Sequence, residues 1–169
     1  MAKIDKSYDL LITDVDGVLN TGRFFYNSSG KVLKEFGPHD ADAIKLFRTF
    51  GVEIIAISAD KRGFGITERR LGDMGVELKL VTEKDRTNWV KERTKNRCFA
   101  FIGDGYSDIP SMINAKVGYA PVNALSVVKK NADIVLEVSG GNGVLFAALE
   151  HYISEYHPEK KSAFEIGEI

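Results

Sequence analysis

The chain has a single cysteine, Cys98, among 169 residues. One thiol forms no intrachain disulfide, and its place in the apolar segment Cys98–Ile102 fits a reducing compartment. Charge of one sign is lacking too: 23 Lys and Arg against 24 Asp and Glu leave a formal charge of −1. That balance gives no electrostatic case for nucleic acid or an anionic membrane surface. No apolar run is long enough to cross a bilayer, and the opening MAKIDKSYD has no apolar core of the signal-peptide kind. The expectation is a cytoplasmic protein with neither nucleic acid nor membrane as partner. Repeats, low-complexity stretches and linkers are missing as well, so residues 1–169 are expected to form one domain with its own core.

What is present is organised around Tyr8–Thr21, YDLLITDVDGVLNT. Leu10, Leu11 and Ile12 read as a buried strand of a parallel sheet, since such strands are near-continuously apolar. The run ends in Asp14 and Asp16, followed by Gly17. Ligands on open α/β sheets bind at the carboxyl ends of strands, which puts both acids on the working edge. Side-chain alternation is expected to project them in the same general direction, with Gly17 turning the chain above them. Two close carboxylates repel and favour a shared cation, and oxygen ligands suit a hard ion such as Mg²⁺. Taken alone, Asp-x-Asp-Gly also fits a plain turn after a strand, so the later strand ends decide.

Gly22–Tyr26 and Lys31–Phe36 flank the turn signal Asn27-Ser28-Ser29-Gly30 and predict a β-hairpin over about 22–36. Its rings, Phe24, Phe25, Tyr26 and Phe36, either fold back on the core or pack against another subunit, and the second is expected. From Asp40 the period turns helical through Ala43, Ile44, Phe47 and Phe50, closing at Gly51. Val52–Ile57 is a second buried strand ending in Ser58, a hydroxyl able to donate to a phosphate oxygen; Lys61 and Arg62 follow, then a helix with Arg70. Glu77–Val81 is a third strand. Beyond it Lys84 sits at a strand-to-helix junction with Arg86 as a competitor for the place facing the acids, and Thr82 is a candidate N-cap. Cys98–Ile102 is a fourth strand, ending in Gly103-Asp104-Gly105-Tyr106-Ser107-Asp108; Asp108 there also fits a helix N-cap, with Pro110 in the first turn. Short strands at Lys116–Tyr119 and Ala132–Leu136, a helix at Val144–Tyr152 and a charged tail from Pro158, expected to be mobile, complete the chain.

Alternating strands and helices predict a doubly wound parallel α/β sheet. Asp14/Asp16, Ser58, Lys84 and Asp104/Asp108 then follow successive strands in chain order, an inventory for phosphoryl transfer through an aspartyl-phosphate: a carboxylate nucleophile, an acid/base, metal ligands, a hydroxyl and a cation. DVDGV, Ser58, Lys84 and GDGYSD together resemble the four motifs of the haloacid dehalogenase superfamily of phosphohydrolases. TGRFFYNSSGKVLKEF and SGGNGVLFAALE are similar to the hairpin and the Gly-Gly-x-Gly segment of its capless subgroup, typified by 3-deoxy-D-manno-octulosonate 8-phosphate phosphatase.

The resemblance implies a Rossmann-like core without a cap domain, Asp14 as nucleophile and Asp16 as acid/base. It implies Mg²⁺ held by Asp14, the Asp16 backbone carbonyl and Asp104, with Asp108 in support, and phosphate held by Ser58 and Lys84. The implied substrate is a small phosphorylated sugar acid, with Lys61, Arg62 and Arg70 as candidate contacts to its carboxylate. Three departures lie around the substrate: His39-Asp40-Ala41 for Arg-Asp-Gly, Gly103-Asp104-Gly105 for Gly-Asp-Asp, and a loop after Ser58 that lacks Gly-Arg and offers Ala59-Asp60-Lys61-Arg62. With no room for a lid between Asp16 and Ser58, a neighbouring subunit is expected to close the site, by resemblance in a homotetramer. A weakly catalytic oligomerisation module, of the kind attached to sialic-acid-activating enzymes, is the alternative; two repelling acids kept side by side argue against it. A phosphoacceptor signalling domain would place its acceptor aspartate after the third strand, where this chain has Thr82-Glu83-Lys84.

Overall fold

Residues 7–169 are described by the structure, a computed structural model. The apolar run Leu10–Asp14 is β1, buried at every position. The hairpin follows as β2 (Asn20–Asn27) and β3 (Gly30–Phe36), antiparallel and forming a two-stranded sheet of its own. Then come α1 (Asp40–Thr49), β4 (Glu53–Ser58), α2 (Phe64–Asp73), β5 (Glu77–Leu80), α3 (Arg86–Arg93) and β6 (Phe99–Ile102). A 3₁₀ turn at Tyr106–Asp108 leads into α4 (Ile109–Asn114), β7 (Val117–Pro121), α5 (Ser126–Asn131), β8 (Ile134–Leu136) and α6 (Val144–Tyr156). The chain ends in a second 3₁₀ turn, Pro158–Lys160, and α7 (Lys161–Glu165).

Six strands form one parallel sheet in the order β5-β4-β1-β6-β7-β8. The chain runs outward from β1 through β4 to β5, then crosses back to β6 on the other side. The strand order reverses at β1, which is where open α/β sheets bind ligands. Alternation along β1 feeds two cores. Leu11 packs with Ala43, Ile44 and Phe47 of α1 and Leu145, Ala148 and Leu149 of α6. Leu10 and Ile12 face the opposite way, with Val90 of α3, Met112 of α4 and Val128 of α5. Each face thus carries its own apolar layer, which is why central strands such as β1 and β6 are buried along their whole length, whereas the edge strand β5 alternates Glu77 and Lys79 with leucines. Asp14 shares the parity of Leu10 and Ile12, so it looks toward α3.

The remaining elements fix the loops above the sheet. Asp40, in the first turn of α1, accepts the Leu145 N–H at 2.8 Å and ties the start of α1 to α6. Gly141 donates to the Val18 carbonyl at 2.9 Å, and Asn123 donates to the Gly17 carbonyl at 3.0 Å. The loop after β1 is therefore clamped by two later segments. The tail, expected to be mobile, forms α7, and Phe164 lies against Phe146 with ring centroids 5.7 Å apart. Among the described residues, no helix is long and apolar enough to cross a membrane.

Candidate active site

β1 ends at Asp14, level with Ile57 of β4, and Thr13 is level with Ile102 of β6. The carboxyl ends of three neighbouring strands therefore deliver Asp14, Ser58 and the Gly103–Asp108 loop to one edge. Oxygens of Asp14, Asp104 and Asp108 lie within 4.8 Å of one another. Asp108 is fully buried, and its Oδ2 accepts the N–H groups of Asp104 (3.1 Å) and Gly105 (3.0 Å), which curls the loop and turns Asp104 inward. Gly17 permits the approach from the other side. Its φ of +91° suits glycine, and a Cβ there would stand 2.0 Å from Asp104 Oδ2.

Burial and the nearby Asp108 push the Asp14 carboxyl well up from its ordinary range, against the Arg86 guanidinium. Burial and Asp108 likewise push Asp104 up to about 7. Burial raises Asp108, although Arg86 and the two loop N–H groups oppose it. Three carboxylates facing one guanidinium are an uncompensated negative cluster, which a divalent cation would relieve. An all-oxygen donor set of this kind fits Mg²⁺.

Asp16 is placed differently from the expectation. The strand stops at Asp14, and Val15–Leu19 makes a tight turn in which the Val18, Leu19 and Asn20 N–H groups approach the Val15 carbonyl. Strand alternation does not extend through that turn. The Asp16 carboxylate therefore leaves the acidic cluster and faces the hairpin, where Asn20 Nδ2 (2.7 Å) and Lys34 Nζ (2.8 Å) reach Oδ1. Ser58 Oγ, buried at the end of β4, donates to Asp16 Oδ2 at 3.3 Å and accepts the Asp60 N–H at 3.1 Å. Asp14 and Asp16 nevertheless line one cavity of about 330 Å³, with Asp104, Asp108, Arg86, Asp60 and Lys31.

Lys84, expected to face the acids, is exposed, and Arg86 occupies that position. β5 stops at Leu80, and Thr82 and Asp85 close a turn through Thr82 Oγ1 to Asp85 Oδ2 at 2.6 Å. The helix begins only after that turn, so Thr82 does not cap it. Arg86, the first residue of α3, is buried on the Asp14 side, with Nη2 3.0 Å from Asp14 Oδ1 and Nη1 paired with Asp108. Lys61 and Arg62 are exposed, and neither lines the cavity. Arg70 turns away, donating to the Gly37 carbonyl at 3.0 Å. Arg86 was anticipated as a competitor, but sequence reasoning missed two further cations that arrive, Lys31 and Lys34. Lys31 and Lys34 both reach Asp60 from the hairpin; burial alone would raise that carboxyl, but the two lysines hold it down at about 2. The available signal was that Lys31 and Lys34 alternate with Val32, Leu33 and Phe36 in a strand facing Phe24, Phe25 and Tyr26.

No family model matches the chain. It is 30% identical over 138 residues to the 3-deoxy-D-manno-octulosonate 8-phosphate phosphatase KdsC of Haemophilus influenzae, covering 79% of this chain and 76% of that protein. The structure of the cobalt-bound phosphatase from Haemophilus influenzae superposes with a TM-score of 0.81 at 27% identity, covering 94% of this chain and 93% of the other. The phosphatase of Moraxella catarrhalis, solved with a magnesium ion, a phosphate ion and KDO, shares the fold: TM-score 0.83, 23% identity, 95% and 92% covered. The fold and its relatives define a phosphatase of the haloacid dehalogenase superfamily; among the described residues there is no cap domain. Within that superfamily, the chain belongs to the 3-deoxy-D-manno-octulosonate 8-phosphate phosphatase family.

Proposed function

We propose that this protein hydrolyses a small sugar-acid phosphate, 3-deoxy-D-manno-octulosonate 8-phosphate or a related nonulosonate 9-phosphate, through an aspartyl-phosphate. The observation that carries the reading is the convergence of Asp14, Asp104, Asp108 and Arg86 at the end of β1, beside a separately held Asp16. The relatives' names and the ligands of the Moraxella protein support the substrate class.

In the first step an Asp14 oxygen bonds to phosphorus as the ester oxygen departs, taking a proton from Asp16. In the second step water bonds to phosphorus and gives its proton to Asp16, while the Asp14–phosphorus bond breaks and releases phosphate. Arg86, rather than Lys84, is assigned the cation beside the nucleophile, because its guanidinium is already 3.0 Å from Asp14. Ser58 helps hold Asp16 and stands at the strand end where phosphate would enter. Asp14, Asp104 and the Asp16 backbone carbonyl would hold Mg²⁺, with Asp108 supporting. When bound, the ion would offset repulsion between an anionic nucleophile and an anionic substrate. Phosphate release from 3-deoxy-D-manno-octulosonate 8-phosphate is expected with Mg²⁺ and lost with EDTA. Release that is insensitive to EDTA, or absent from every phosphomonoester in a panel, would defeat the reading.

Self-association belongs to the same proposal. Phe24, Phe25, Tyr26, Val32 and Leu33 are exposed on the hairpin, whereas Phe36 folds back on the core. That many apolar side chains on one two-stranded sheet fit burial against further copies of this chain, by resemblance in a homotetramer. Light scattering at micromolar concentration is expected to report an oligomer, and a monomer would contradict the assignment.

A further inference from the structure

Lys34 belongs to the projecting hairpin, yet its side chain is 0% exposed. A buried ammonium is costly unless its three donors are met. Here they are: Asp16 Oδ1 at 2.8 Å, Asp60 Oδ2 at 2.8 Å and Thr67 Oγ1 at 2.9 Å. If this were only an anchor for the hairpin, Asp60 and Thr67 at the base of α2 would suffice. The third partner is instead the carboxylate two residues beyond the nucleophile.

Both close donors to Asp16 Oδ1 come from the hairpin, Asn20 at its base and Lys34 in the returning strand, which is level with Phe24. They take up one carboxylate oxygen and leave Oδ2, with Ser58 Oγ 3.3 Å away, as the oxygen available to a leaving group. We propose that Lys34 is a positioning residue for Asp16: the hairpin, through this ammonium, sets the orientation in which Asp16 exchanges protons. The inference rests on the acid/base role assigned to Asp16 above. It gives the hairpin a task within its own chain, apart from any contact between subunits. Proton transfer demands hydrogen-bond reach, and a small misplacement lowers the rate steeply.

Gly63 supports the seat. A Cβ there would stand 2.2 Å from Asp60 Oδ2 and 2.7 Å from Lys34 Cε, at an ordinary negative φ, so the need is for space alone. Gly63→Ala therefore displaces the ends of Asp60 and Lys34, and of Lys31 whose Cδ is 2.8 Å away, without removing a charge.

The test compares kcat/KM for two probes, p-nitrophenyl phosphate and phenyl phosphate, in the wild type, Asp16→Asn, Lys34→Met and the double variant. Nitrophenolate departs without a proton, whereas phenolate, with a pKa of about 10 like tyrosine, needs one. Asp16→Asn and Lys34→Met are each expected to lower phenyl phosphate turnover at least about tenfold more than nitrophenyl phosphate turnover. The double variant should separate the probes no further, because both changes remove the same function. Equal losses on both probes in Lys34→Met, with the separation kept in Asp16→Asn, would overturn the proposal and leave the Asp16 role standing. Equal losses in Asp16→Asn would overturn the acid/base reading, and this inference with it. If Lys34→Met does not fold, Gly63→Ala carries the same comparison with the same expected and contrary results.

Discussion

Asp14→Asn is expected to lower phosphate release by about 10⁴-fold or more, the scale on which enzymes lose activity with their nucleophile. The amide keeps the shape of the side chain and can still meet Arg86, so geometry is preserved while nucleophilicity is gone. Stability should move the other way. Asp14 is buried beside Asp104 and Asp108, and its carboxyl is already pushed up by burial and by Asp108. Without added magnesium, removing one of three crowded acids should leave the melting temperature unchanged or higher, because Arg86 still pairs with Asp108. A variant that keeps substantial turnover, or loses its fold, would contradict the assignment of Asp14. Activity and a thermal melt on one preparation read both effects.

The second large effect separates two neighbouring cations. Arg86→Met should lower turnover by about 10²–10³-fold, the scale for removing a preorganised group from a site of developing charge. It should also destabilise the metal-free protein by about 3–5 kcal/mol, since breaking a buried pair leaves an uncompensated charge. Here two buried acids, Asp14 and Asp108, would lose their partner together. Lys84→Met should change turnover less than about threefold, since exposed charges contribute little. The opposite ranking, with Lys84 essential and Arg86 dispensable, would show that α3 begins differently when substrate is bound. Steady-state kinetics on the two variants decide it.

That contrast shows where the sequence was legible. Asp14, Asp104 and the strand-end position of Ser58 could be read because a buried parallel strand is apolar and stops abruptly, so its last residue is marked to within one position. Helix starts are marked less evenly: Pro110 marks the start of α4 just after Asp108, but nothing comparable marks α3. Thr82–Asp85 looks like a capped first turn, but its side-chain hydrogen bond closes a separate turn and delays α3 to Arg86. A shift of two residues exchanges a buried cation for an exposed one. Asp16 was misdirected for a related reason, since alternation holds only while the chain stays extended, and it turns at Val15. Lys31 and Lys34 were hidden because a lysine in a hairpin reads as a solvated edge residue. Only tertiary folding of the hairpin over the β4–α2 loop reveals Asp60 beneath it. Lys61, Arg62 and Arg70 fell on the wrong side because proximity to Ser58 in sequence does not determine which way a loop or a helix face turns. Chemistry carried by strand ends was readable; of the chemistry carried by loops, Asp108 was readable beside its strand end, and the hairpin lysines were not.

In the proposed mechanism Asp14 takes the phosphoryl group and Asp16 does not. The most direct measurement uses Asp16→Asn, in which the proposed second step is slowed, mixed with p-nitrophenyl phosphate and Mg²⁺ and quenched in acid within a turnover. Mass spectrometry of the digested protein should find one phosphoryl group on the peptide containing Asp14, on the Asp14 side chain, formed in step with nitrophenolate release. Nitrophenolate released without any phosphorylated peptide, or a phosphoryl group on another residue, would contradict the mechanism.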